Sequence, residues 1–252
     1  RLLRLLRHNP RNPSSLAGNE VRALLRDRAG WLWAGGYGGG LQRHDPANRS
    51  IWVRRETPGH DDVLMDPNVR SVAQLANGEI WIGTAEKGVA ILDPQLRLIG
   101  SLPTGSQSGL TNGRIGAIAQ TPDGSVWLGS DVGLHQVDAR RRSLLRSYQP
   151  GQGRVRRLLA GSDGRLWIAT QDGLFLHRPE SQSLQSVLTE GGEPLSGDVN
   201  ALAEGADQGL WIGTESGLYH LPAGAERLRL VQALAGQELA HLSVVGLLMD
   251  RQ

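Results

Sequence analysis

The chain repeats one pattern five times. A Val or Ile is followed twelve residues later by a Trp: Val21/Trp33, Val69/Trp81, Ile115/Trp127, Val155/Trp167 and Val199/Trp211. Four residues before the Trp stands Ala29, Asn77, Asp123, Asp163 or Asp207. Gly comes next in the first four copies (Gly30, Gly78, Gly124, Gly164), whereas the fifth has Gln208 there and Gly209 one later. Each Trp leads to another Gly with an apolar partner: Gly40-Leu41, Gly88-Val89, Gly133-Leu134, Gly173-Leu174 and Gly217-Leu218. Successive Trp residues lie 48, 46, 40 and 44 positions apart. A period of this kind marks a repeat architecture, in which no unit buries its apolar face alone and each stacks on the next.

Within one copy the chemistry points to strands. Val21-Arg-Ala-Leu-Leu25 and Val155-Arg-Arg-Leu158 are short runs with β-branched starts, and Asn-Gly or Asp-Gly joins such a run to the strand that carries the Trp. Both residues of that dipeptide tolerate the positive φ of a tight hairpin. The second Gly turns into a third strand such as Leu134-His-Gln-Val137, and a fourth follows, as in Leu144 to Tyr148. Helical repeats of similar length are disfavoured because 34 Gly and 12 Pro punctuate the chain and would break each helix. The expected fold is therefore all-β: a β-propeller of four-stranded antiparallel blades. Five complete blades are expected at 20–56, 68–102, 113–148, 154–189 and 198–232. Residues 1–7 read as the outer strand of a preceding blade, with a basic amphipathic helix as the alternative. Val244 to Arg251 aligns with Val21 to Arg28, so 242–252 reads as the first strand of a further blade. The whole is expected to be a fragment of a larger, roughly seven-bladed propeller, with a five-bladed ring as the alternative.

Composition adds exclusions. The formal net charge is +2 and the pI about 9.5, compatible because one Lys, three Tyr and no Cys leave little to titrate above neutrality. The Arg residues are spread over the blades, which gives no argument for nucleic acid; Arg140-Arg141-Arg142 reads as a solvated turn. Absence of Cys excludes a disulfide scaffold or thiolate metal site. No run is long enough to span a membrane, so any membrane attachment would come from segments outside this chain.

The recurring Trp33, Trp81, Trp127, Trp167 and Trp211 are expected to be structural wedges between blades, each burying enough apolar area for roughly 4–6 kcal/mol gross. Trp31 and Trp52 fall outside that position and are candidates for exposed aromatic contacts. Gly35 to Gly40 lies between strands with no helix to follow, so it is no phosphate cradle. His44, His135, His177 and His220 fall on third strands without metal-ligand spacing. His60-Asp61-Asp62 with Asp66 is the one local cluster that could hold a hard cation or act as acid and base, with a solvated loop as the simpler reading. No cofactor and no catalytic set are expected.

Topology places the binding surface. If the first strand lines the channel, the loop leading into it shares a rim with the loop between strands two and three. The rim candidates on the entering loops are Asn68, Arg70, Asn112, Arg114, Arg154, Arg156 and Asn200, with Asn19 and Asp198 beside them. On the other loops they are Tyr37, Lys87, Asp131, Asp172 and Glu215, with Glu86. Arg22, Arg70, Arg114, Arg154 and Arg156 would make this rim basic, which suggests an anionic or polyhydroxylated ligand.

Asn19 to Trp33, preceded by His8-Asn-Pro-Arg-Asn-Pro13-Ser-Ser-Leu16, resembles the repeat of two-component regulator propellers. Asp163 to Leu174 and Gly209 to Leu218 resemble it too. The resemblance covers essentially the whole chain. It implies the periplasmic, ligand-sensing part of a bacterial sensor kinase, hybrid kinase or diguanylate cyclase, with the output domain outside this chain. The ligand implied is an unidentified small molecule or oligosaccharide, and homodimerisation is possible. Two other classes stay open: a lyase resembling the streptogramin-inactivating type, and a protein-interaction scaffold.

Overall fold

The structure is a computed structural model that describes residues 6–12, 15–45, 51–54, 64, 66–105, 109–151, 153–234, 237–238 and 242–248. All regular structure among them is β. The first sheet comprises β1 (Val21–Arg26), β2 (Leu32–Gly36), β3 (Gly40–His44) and β4 (Ile51–Arg54). The second comprises β5 (Val69–Gln74), β6 (Ile80–Thr84), β7 (Val89–Leu92) and β8 (Leu98–Leu102). The third holds β9 (Ile115–Gln120), β10 (Val126–Ser130), β11 (Gly133–Asp138) and β12 (Ser143–Tyr148). The fourth holds β13 (Val155–Ala160), β14 (Leu166–Thr170), β15 (Leu174–His177) and β16 (Leu184–Ser186). After β17 (Leu188–Thr189) the fifth repeat gives β18 (Val199–Glu204), β19 (Leu210–Thr214), β20 (Gly217–Leu221) and β21 (Arg227–Leu230). Strand order in every repeat follows the chain, so each is a meander and the fold is a β-propeller. The chain divides into two compact units, residues 1–118 with 138–144 and residues 119–137 with 145–252.

The repeated residues explain the blades. The first hairpin turns at Gly30, Gly78, Gly124 and Gly164, all with φ between 83° and 88°, and at Gln208 with φ 60°. Only this one residue per turn is left-handed, which corrects the expectation that both residues of the Asp-Gly pair adopt positive φ. Gly78 N–H donates to Leu75 and Leu75 N–H to Glu79, a type I turn followed by one left-handed residue. The residue before it keeps a negative φ, and where it is an acid or amide its side chain caps the turn. Asn77 Oδ1 accepts from Glu79 N–H, Asp123 Oδ1 from Ser125 N–H and Asp163 Oδ1 from Arg165 N–H, each at 3.0–3.1 Å.

In the first two repeats, neighbouring blades meet at the Gly two residues after the Trp. A Cβ on Gly35 would lie 2.3 Å from Val69 Cγ1, and one on Gly83 2.5 Å from the Ile115 carbonyl oxygen. These glycines admit the next first strand at backbone distance. The Trp then wedges against the following sheet: Trp33 among Val69, Ile80 and Ile82, Trp127 among Val155, Leu166 and Ile168, and Trp167 among Val199, Leu210 and Ile212. Trp33, Trp81, Trp127 and Trp167 are at most 5% exposed. Trp211 is only half-buried; among the described residues no complete sheet follows it.

Some boundaries shift. Leu188–Thr189, expected in the fourth blade, pair in parallel with Arg227 and Leu228 on the outer edge of the fifth. A turn closed by Thr189 and Glu193, with Glu190 N–H donating to Leu228, carries the chain across. An additional hairpin, β22 (Ala233–Leu234) with β23 (Gln237–Glu238), follows the fifth sheet. Residues 242–248 form no ladder, although Val244 N–H donates to Thr214 and its side chain packs on Gly213. A first strand makes its ladder with its own second strand, and the described residues after Val244 contain none. The expected outer strand at 1–7 and the loop cluster His60-Asp61-Asp62 lie outside the described residues, apart from 6 and 7.

Candidate ligand-binding rim

The entering loops and the loops between second and third strands do meet. Ala85 N–H donates to Asn68, Gln171 N–H to Arg154 and Glu215 N–H to Asp198, at 2.9–3.1 Å. The ends of the second strands hold the loops shut: Thr84 Oγ1 donates to Gly88, Thr170 Oγ1 to Gly173 and Thr214 Oγ1 to Gly217, each at 2.9 Å.

In the first unit, Tyr37 is the centre of the rim. It is 38% exposed, the Arg22 guanidinium lies 5.5 Å above its ring, and Arg70 Nη1 donates to its hydroxyl at 3.4 Å. Asn68 Oδ1 accepts from Gly38 N–H, fixing the Gly-rich turn, and Asn112 Oδ1 accepts from Arg114 N–H. Arg70 and Arg114 are half-buried and Lys87 is exposed. Asp66, counted above with the loop acids, is 4% exposed and accepts from Asn68 N–H and Glu86 N–H at 2.8 Å. It braces the rim, and both its oxygens are occupied.

In the second unit the charges are paired. Arg154 Nε lies 2.7 Å from Asp131, and Arg156 contacts both oxygens of Asp198, Nη2 at 2.5 Å. Arg22 of the first unit pairs with Glu20. The locally basic rim expected from the sequence is tempered: three of its five arginines are matched by carboxylates, those of Glu20, Asp131 and Asp198. The Asp172 carboxylate packs against Gly151 and Gly153. Asn200 is half-buried, and Glu215 is exposed with its Oε1 3.5 Å from Asp198 N–H.

The other candidates are absorbed by packing. Trp31 lies under Arg43, whose guanidinium is 4.0 Å from its ring centroid; the Trp52 side chain lies outside what the structure describes. His135 is buried between Ser130 Oγ and Ser147 Oγ, 2.9 Å from each, and the His177 ring lies tilted 4.6 Å from Trp127. Burial lowers the pKa of both imidazoles. Arg140 and Arg141 lie on an exposed turn as expected, but Arg142 reaches back to the Ile99 carbonyl. No group of His, Cys, Asp and Glu among the described residues has metal-site geometry.

A cleft that the sequence reading missed opens at the opposite ends of the strands, between the fourth and fifth sheets. Its volume is about 130 Å³, and Asp163, Arg165, Trp167, Glu204, Gln208 and Leu221 are among its walls. The signal was present: the fifth copy exchanges Gly-X for Gln208-Gly209.

Residues 15–38 and 109–131 match the family model described as two component regulator propeller. Two segments of the chain thus resemble that repeat. Its fold is similar to the extracellular domain of BT3049 from B. thetaiotaomicron, assigned to a hybrid two component system, with a TM-score of 0.81 and 19% identity. That likeness covers 95% of this chain and 32% of the other. The extracellular domain of BT4673 from the same organism gives 0.73 at 20% identity over 93% and 32%. PorZ, a surface component of the type-IX secretion system of Porphyromonas gingivalis, gives 0.70 at 15% over 94% and 39%. The chain thus spans about a third of the length of these similar structures. No curated protein matches it.

Proposed function

We propose that this chain is part of the non-catalytic, ligand-sensing propeller of a bacterial signal-transduction protein, placed outside the cytoplasm, with a kinase or cyclase output domain elsewhere in the polypeptide. The observation that carries this reading is the match of two repeats to the two component regulator propeller. The fold of extracellular sensor-system domains supports it. The ligand, a small molecule or oligosaccharide, binds at the rim that holds Tyr37, Asn68, Arg70, Lys87, Asn112 and Arg114 in the first unit. Asp131, Arg154, Arg156, Asp172, Asn200 and Glu215 are the corresponding candidates in the second. Its free-energy difference between two arrangements of propeller and output domain is the signal.

Pairing of Arg154 and Arg156 with acids favours a neutral or hydroxyl-rich group there, since an anion would have to displace a carboxylate. Arg70, which among the described residues donates to Tyr37, suits an acceptor. A thermal-shift screen of sugars, organic acids and nucleotides on the full-length protein tests the reading. Stabilising hits that are recovered unchanged and are lost in Arg70→Ala, with Arg140→Ala silent, support it. Turnover of a hit, or hits indifferent to Arg70, Arg114 and Arg156 together, refutes it.

A further inference from the structure

The cleft between the fourth and fifth sheets differs chemically from the rim. Its lining includes the apolar side chains of Leu159, Leu210, Leu221 and Trp167. At its mouth Asp163 and Arg165 pair with one another, and the Arg165 guanidinium lies 5.2 Å from the Trp167 ring centroid. Those two charges cancel. Glu204, also in the wall, is exposed and makes no ion pair among the described residues. Among the described residues, the cleft's lining thus carries one carboxylate without an ion pair, beside apolar side chains.

The backbone points to the same place. At the turn position where four repeats use Gly, the fifth holds Gln208 at φ 60°. A left-handed residue with a side chain is strained by about 1–2 kcal/mol, and strain of this kind collects at functional sites. Here it sets a carboxamide in the cleft wall. Gly209 follows, where the other copies have Trp31, Glu79, Ser125 and Arg165. A Cβ there would come within 2.6 Å of His220 Nε2, so Gly209 lets His220 stack 4.3 Å from Trp211. The exchange thus removes a side chain from the cleft's wall and places an amide beside it.

We infer that this cleft is a second binding site, for a small aliphatic amine: an ammonium held by the Glu204 carboxylate and the Gln208 amide oxygen, with its alkyl stem on Leu159, Leu210 and Trp167. The volume of about 130 Å³ is well above what a single water needs, which suits a stem of a few carbons. Long cationic side chains use the same division, stem on apolar surface and charge in a polar setting. The site is independent of the rim and of the sensing role proposed for it.

Titration of the chain with n-butylammonium, followed by ¹H–¹⁵N NMR, tests the inference. Saturable shifts at Gln208, Gly209 and the Trp167 indole are expected, with a dissociation constant on the order of 1 mM. 1-Butanol, which keeps the stem and removes the charge, binds about tenfold more weakly. Glu204→Gln weakens the ammonium by a similar factor, and Gln208→Gly, which relieves strain and keeps the turn, weakens it severalfold. Salt near 1 M, where screening falls to about 3 Å, weakens binding to the parent and not the residual binding of Glu204→Gln. Absence of saturable shifts, or equal binding of butanol and butylammonium, overturns the inference, as does a Glu204→Gln variant that binds like the parent.

Discussion

Replacing Trp127 by Ala is the sharpest test of how the blades are held together. The indole is 2% exposed and fills the space between the third and fourth repeats, against Val155, Leu166 and Ile168. The His177 ring lies 4.6 Å away and Tyr148 5.8 Å. Removal of roughly 150–200 Å² of buried apolar surface at about 25 cal/mol per Å² costs about 4–5 kcal/mol. Partial collapse around the gap brings this to about 3–5 kcal/mol, the range for buried aromatic truncation. The lost hydrogen bond adds little, because the Thr121 hydroxyl that accepts from Trp127 Nε1 at 3.1 Å keeps its bond to Asp123 at 2.6 Å. Trp127→Phe should therefore retain most of the stability. With a guanidinium slope of roughly 4 kcal/mol per M, Trp127→Ala lowers the denaturation midpoint by about 1 M, read by far-UV circular dichroism. Trp211→Ala, at a half-buried site, lowers it by less than half as much. An unchanged midpoint in Trp127→Ala, together with lost ligand binding, would refute the wedge and make the Trp series a binding platform.

Gln208→Gly should stabilise the chain by about 0.5–1 kcal/mol, the relief of left-handed strain minus the greater unfolded-state entropy of Gly, measured as a higher denaturation midpoint; a lower midpoint contradicts the strain argument. Gly83→Val should destabilise by more than about 3 kcal/mol, or prevent folding, because its Cβ would lie 2.1 Å from Ser71 Oγ and 2.5 Å from the Ile115 carbonyl, and wild-type yield and midpoint would show the contact to be soft. Stability should be flat above pH 6.5 and fall as pH drops below it. His135 and His177 have folded pKa values below the ordinary 6.5, so the unfolded state takes up protons first and gains in relative stability. His135→Gln with His177→Gln should reduce that acid slope in urea midpoints taken between pH 7 and 5, and an unaltered slope excludes these imidazoles as its source.

The sequence by itself determined the blade. The twelve-residue step from Val155 to Trp167, the turn at Gly164 and the Gly173-Leu174 junction each demand one local geometry. A strand, a left-handed turn and a buried wedge follow from short-range sterics and from hydrophobic alternation. That is why the strand order, the left-handed turn glycines and the burial of Trp33, Trp81, Trp127 and Trp167 were legible. The same locality made the rim readable as a set of loops, and its loops do join where Asn68 meets Ala85 and Asp198 meets Glu215.

What only tertiary structure decided was who partners whom. Arg154 finds Asp131 23 positions earlier in the chain and Arg156 finds Asp198 42 later, so the arginines that make the rim read as basic are matched by carboxylates in the second unit. Leu188 leaves its own blade for the parallel edge of the next because a vacant strand edge at Arg227 offers backbone bonds that no side-chain pattern encodes. The cleft under Trp167 arises from two repeats set side by side, with one strained Gln208 between them. Each of these depends on pairing over long sequence separations. Periodicity fixes the shape of a repeat, but charge pairing and cavities belong to the spaces between repeats, where one residue's environment is set by another blade.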